Sequence, residues 1–169
     1  TRWQAMELAE TLGLVSQTGR ALRELRGTLT TLTALARPAL PGEFLAKLRD
    51  YQWDGLAWLR LLAGHGIGAV LADDMGLGKT VQLLAHISVR KQLGEARGPS
   101  LVVAPTSVLV AWSEQLTEFA PSLKALVWHG AERHESEGEV TSQDIVLTSY
   151  ALLQRDEALL TAIGWDLAI

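Results

Sequence analysis

Lys79 and Thr80 stand directly behind two closely spaced glycines, Gly76 and Gly78, in the stretch AVLADDMGLGKTVQ that spans 69–82. A cation and a hydroxyl behind a turn stripped of side chains suit a dense anion such as a triphosphate. Glycine lets the backbone curl close and aim N–H groups at phosphate oxygens. A helix that begins at the lysine adds its positive end. Lys79 then reaches the β- and γ-phosphates, and Thr80 offers its hydroxyl to Mg²⁺. The flanking residues can hold such a turn. Ile67 to Ala72 is an apolar run of strand length, and the following TVQLLAHISV places Leu83, Leu84 and Ile87 on one helical face. Strand, glycine turn, Lys-Thr and helix is the order of a nucleoside-triphosphate P-loop. A nucleoside triphosphate and Mg²⁺ are therefore the expected cofactors. Asp73, Asp74, Met75, Gly76, Leu77, Gly78, Lys79 and Thr80 are the candidate nucleotide-binding residues. Lys79 and Thr80 are the candidate catalytic pair, with Thr80 the candidate Mg²⁺ ligand.

The general pattern G-x-x-x-x-G-K-[ST] has glycine where this chain has Asp73. With that departure, DDMGLGKT resembles motif I of the SWI/SNF-type (bacterial RapA/HepA-like) DNA-dependent ATPases, a branch of helicase superfamily 2. Other stretches extend the resemblance over about residues 44 to 169. LRDYQWDGLAWL, from Leu48 to Leu59, is similar to the family's Arg-x-Tyr-Gln segment, with Asp50 where the family usually has proline. The resemblance gives Gln52 the role of reading adenine, since an amide both donates and accepts. The strand LVVA (101–104) and the turn Pro105-Thr106-Ser107 resemble motif Ia. Ile145 to Leu147 and the turn Thr148-Ser149-Tyr150 resemble motif Ib. In the family both turns touch DNA phosphates, so Pro105, Thr106, Ser107, Thr148, Ser149 and Tyr150 are candidate DNA contacts. Hydroxyls and N–H groups at a helix start can hold phosphate without reading sequence. Helix capping is the competing use of the same residues. The helix after motif Ia carries Ala-Trp-Ser-Glu-Gln (111–115), which keeps the family's tryptophan but not its flanking asparagine and glutamate.

The bulk properties set bounds. The 169 residues are 48% hydrophobic, enough for one substantial core, and carry a formal charge of −4. DNA would have to be met by local groups on one face or by a partner domain, because the chain is not basic overall. There is no cysteine, hence no disulfide and no thiolate metal site. No apolar stretch reaches membrane-spanning length, and a cytoplasmic, nucleoid-associated place is expected. Neither terminus reads as a natural end.

Residues 1–42 read as a helical extension and linker. Met6, Ala9, Leu12 and Val15 share one helical stripe, and Leu22, Leu25, Leu29, Leu32 and Leu35 share another. The segment is a packing hairpin or an arm for a protein partner. Arg37-Pro38-Ala39-Leu40-Pro41-Gly42 breaks any helix. Helical periodicity resumes from Phe44 to Leu62. Trp53 and Trp58 read as core residues. Leu123 to Trp128 is a further strand, followed by His129-Gly130-Ala131-Glu132-Arg133, a stretch common in the family. ERHESEGE (132–139) reads as a solvated loop rather than a metal cage around His129, His134 and Glu135. Gly164 to Ile169 opens one more strand. In the family this strand ends in an Asp-Glu pair that holds Mg²⁺ and positions the attacking water.

The strand–turn–helix unit recurs near 67, 101, 124, 145 and 166, which predicts an α/β fold with a mostly parallel sheet, helix-covered, and ligand at the strands' carboxyl ends. The resemblance makes 43–169 a partial, RecA-like P-loop lobe of a double-stranded DNA translocase, lacking the second RecA-like lobe. It implies nucleotide binding with little or no hydrolysis by this piece alone. A P-loop ATPase or kinase acting on other substrates, the lobe of an unwinding helicase, and a non-catalytic interaction module are the rival readings.

Overall fold

A computed structural model of the chain describes residue 27 and residues 36–169. The two leucine-rich stripes predicted within residues 1–35 lie outside the described residues. Helix α1 runs Asp50–Gly64 and α2 runs Lys79–Gln92. They are followed by strand β1, Ser100–Ala104, helix α3, Thr106–Phe119, and strand β2, Ala125–Val127. A 3₁₀ segment, Glu132–Ser142, leads to strand β3, Ile145–Ser149. Short helices α4, Tyr150–Arg155, and α5, Glu157–Thr161, precede strand β4, Leu167–Ala168.

The four strands form one parallel sheet in the order β2-β3-β1-β4. Parallel strands need both faces covered, and the side chains obey that demand with period two. Val102, Ala104, Ile145 and Leu147 enter the larger core with α1, α2 and α3, while Leu101 and Val146 enter a second core with Trp128 and Val140. Leu153, Leu159, Ile163 and Trp165 cover that second face. The predicted α/β architecture with a parallel sheet is the one observed.

Two expectations are corrected. The run Ile67 to Ala72 forms no strand and is not buried; Val70 is 80% exposed. Among the described residues, 68–73 make no backbone–backbone hydrogen bond. A strand exists only where a neighbour completes its ladder, and apolar composition does not supply one. The second correction concerns Phe44 to Arg49, which are not helical; α1 begins only at Asp50. Leu45 N donates to Phe119 O at 2.8 Å, outside any helical ladder, and Phe44 and Leu48 are buried in the larger core. Their spacing of four is that of anchors on an extended strap rather than of a helix face.

ERHESEGE is mostly exposed, as expected, but it is helical rather than a loop. It lies within the 3₁₀ segment, and Arg133 grips Asp156 with two hydrogen bonds, Nε at 2.6 Å and Nη2 at 2.8 Å. Trp128 Nε1 donates to the same carboxylate at 2.8 Å. Asp156 is buried, and the Arg133 guanidinium, then the Trp128 bond, hold its pKa at about 2.

Candidate nucleotide site

Gly78 ends the loop in the left-handed region, at φ 77° and ψ 40°, and is the N-cap of α2. No side chain caps that helix start, so its first N–H groups are available to an anion. Conformation favours glycine at 78, and a Cβ there would come within 2.5 Å of Gln52 Nε2 and push it from its bond to Leu77 O. Gly76 also has positive φ, 85°.

Lys79 is half-buried and turned back into the loop. Its Nζ donates to Asp73 O at 2.7 Å and Asp74 O at 2.9 Å. Thr80, next on the helix, is half-buried. Met75 is 97% exposed, and Asp74, Gly76 and Leu77 are exposed too. Asp73 is different from its neighbours, because its carboxylate is bonded to Gln82 rather than open to a ligand.

The first turn of α1 fastens the other side of the loop. Tyr51 Oη and Gln52 Nε2 both donate to Leu77 O, each at 3.1 Å. Gln52 Oε1 accepts from Arg49 N at 2.9 Å, which satisfies the N-cap N–H at the start of α1. Gln52 is 8% exposed. The residue singled out for adenine thus sits at the loop, with one amide hydrogen and one lone pair still uncommitted. Sequence reasoning missed Tyr51 and Arg49 as its companions, although the Arg-x-Tyr-Gln spacing contained them. Beside Gln52 lies a cleft of about 300 Å³ lined by residues that include Lys47, Arg49, Tyr51, Gly76 and Gly78. An uncapped helix start, a lysine reaching into a glycine turn and an adjoining cleft with mixed apolar and polar walls fit a nucleotide with its phosphates on the loop.

The two turns predicted to meet DNA come together. β1 and β3 are neighbours with Val103 opposite Thr148 and Ala104 opposite Ser149, so both turns leave the same carboxyl edge. Their hydroxyls are not equally available. Thr106 and Ser107 are exposed in the first turn of α3, which has no side-chain cap, and Tyr150 is 61% exposed. Thr148 is fully buried and donates to Trp128 O at 3.2 Å. Ser149 is buried and accepts from Leu152 N as the cap of α4. The expectation that these two hydroxyls face phosphate is therefore corrected: strand alternation points one inward, and helix capping uses the other.

Comparison with known proteins gives the same outline. Residues 51–169 match the model of the SNF2-related domain. YwqA of Bacillus subtilis is 38% identical over 157 residues, 91% of this chain and 17% of YwqA. Transcription regulatory protein SNF2 of Saccharomyces cerevisiae is 34% identical over 122 residues, 70% of this chain and 7% of that protein. The structure of the Sulfolobus solfataricus SWI2/SNF2 ATPase core in complex with dsDNA superposes with a TM-score of 0.71 at 40% identity, over 81% of this chain and 27% of that one. The chain thus spans well under half of each relative. The glycine loop, the Tyr-Gln turn that clasps it and the parallel sheet all fall inside the matched region, and the chain belongs to the SNF2-related family.

Proposed function

We propose that this chain is the nucleotide-binding part, most of the first RecA-like lobe, of an ATP-dependent translocase on double-stranded DNA. One observation carries the reading: Lys79 Nζ rests on the carbonyls of Asp73 and Asp74 at an uncapped helix start. A cation held by neutral carbonyls is poised to move to phosphate oxygens, which bind it far more strongly. Thr80 would hold Mg²⁺ against those phosphates, and Gln52 and the cleft beside it would take the base. The metal's part would be to neutralise charge on the transferred phosphoryl group. Double-stranded DNA, bound in the Sulfolobus structure, would lie across Thr106, Ser107 and Tyr150, through hydroxyls and helix N–H groups. The parent protein would act with DNA in the nucleoid, and the segment 1–42 would serve a protein partner.

Hydrolysis asks for more than these residues supply: an acid pair to fix metal and water, and an arginine from a facing lobe. Among the described residues no Asp-Glu pair closes a strand. Turnover by this chain alone is expected to be slight or nil.

Calorimetric titration of Mg·ADP and Mg·ATP into the chain, beside Lys79→Ala, tests the reading. Wild-type binding that weakens by at least about tenfold in the variant supports it. Equal affinity of the two proteins overturns it.

A further inference from the structure

Asp73 occupies the position at which the general phosphate-loop pattern has glycine. Its Oδ2 accepts a hydrogen bond from Gln82 Nε2 at 2.9 Å. Gln82 lies in the first turn of α2 and is fully buried. A carboxylate has no hydrogen to give, so the amide nitrogen must face Asp73 and the amide oxygen must face away. That oxygen, Oε1, is buried and without a partner among the described residues. It presses on Gly55 of α1, where a Cβ would lie only 1.9 Å from it. An unpaired buried acceptor is a standing cost, and leucine would fill the same space without it. The bond made by the amide nitrogen is the evident gain that offsets this.

Residue 73 is thus held twice. Its carboxylate is bound by the body of α2, and its carbonyl is bound by Lys79. The second hold is lost when Lys79 turns to phosphate; the first is not.

We infer that Asp73 and Gln82 are a positioning pair that keeps the start of the phosphate loop fastened to α2 while Lys79 changes partners. The inference rests on the nucleotide reading above, but the pair acts through the loop backbone and not on phosphate. Glycine at 73 would leave the start of the loop unfastened once Lys79 had gone.

Hydrogen exchange at the Leu77 and Gln82 amides, which bond to Asp74 O and Gly78 O, tests this without nucleotide, and Mg·ADP calorimetry tests it with nucleotide. Asp73→Ala is expected to speed exchange at both amides by about tenfold and to weaken Mg·ADP by a similar factor. Asp73→Asn keeps an oxygen acceptor and should retain most of the protection. Gln82→Leu removes the donor at similar volume and should match Asp73→Ala, with the double variant no worse than either. Wild-type protection in Gln82→Leu overturns the pair even if Asp73→Ala does not fold, and so does an Asp73→Asn protein as loose as Asp73→Ala. Absence of Mg·ADP binding by the wild type overturns the nucleotide reading alone, and the exchange rates still decide the pair.

Discussion

His86 lies on the buried side of α2 with its Nδ1 lacking any partner among the described residues. Burial first, and then the positive charges of Arg60 and Arg90, lower its pKa to about 4. The imidazole is therefore neutral in the folded chain at neutral pH. The unfolded chain takes up a proton near pH 6.5 and the folded chain near pH 4. The associated stability is complete above about pH 6.5 and is lost as pH falls toward 4, to the extent of roughly 3 kcal/mol. His86→Met should flatten that limb of the stability curve. Urea titrations from pH 7 to pH 4 check it, and equal slopes for the two proteins would refute the assignment. At the residue scale the shape of the loop was legible in local order: the spacing of Gly76, Gly78 and Lys79 sufficed to place the glycine turn and the helix start behind it. The bond between Asp73 and Gln82 and the buried state of His86 were not legible, because spacing does not say which side chains of a buried helix find a partner.

Among elements, α2 sends polar side chains to several of the connecting segments around it. Arg90 near its end bonds both carboxylate oxygens of Asp166, just ahead of β4, at 2.9 and 2.7 Å. Arg60 of α1 reaches Glu95 in the following loop, with one bond at 2.7 Å. Gln82, His86 and Arg90 are four residues apart and so form one stripe along the helix. The packing of α1 on this stripe explains a glycine that helix propensity argues against. Alanine at an ordinary mid-helix position is favoured over glycine by about 1 kcal/mol. At Gly55 the added methyl meets Gln82 Oε1, so Gly55→Ala should destabilise the protein by about 1–3 kcal/mol instead. A denaturant midpoint shifted upward would contradict this packing. The strands β1 and β3 stood out in the sequence as apolar runs. The run 67–72 looked the same and formed no strand, since composition reports a side chain's preference and not whether a partner strand is beside it.

At the scale of the whole fold, the sheet separates two unequal cores among the described residues, and Asp156 fastens the smaller. Asp156 joins α5 to the 3₁₀ segment through Arg133 and to the end of β2 through Trp128. Its folded pKa of about 2 lies below the unfolded value of 3.8. The stability it supplies is present above about pH 4 and fades as pH falls toward 2. Arg133→Met removes the chief cause of that depression and leaves a buried carboxylate facing a thioether. It should lower the melting temperature at pH 7 by several degrees and shrink the further loss between pH 4 and pH 2. Melting curves at those three pH values check both parts, and an unchanged melting temperature at pH 7 would rule out the clasp.

The strand order has a consequence for how the chain is made. β1 is central, yet its partners are encoded far downstream: Ser100 pairs with Ile145 on one side and with Leu167 on the other. On a ribosome adding about 5–20 residues per second, β1 emerges with both flanks bare and waits seconds for its first neighbour. During that interval Leu101, Val102 and Val103 are a short apolar template open to any passing strand. Nascent chains should therefore draw on holdase chaperones most heavily after β1 is synthesised and before β3 is.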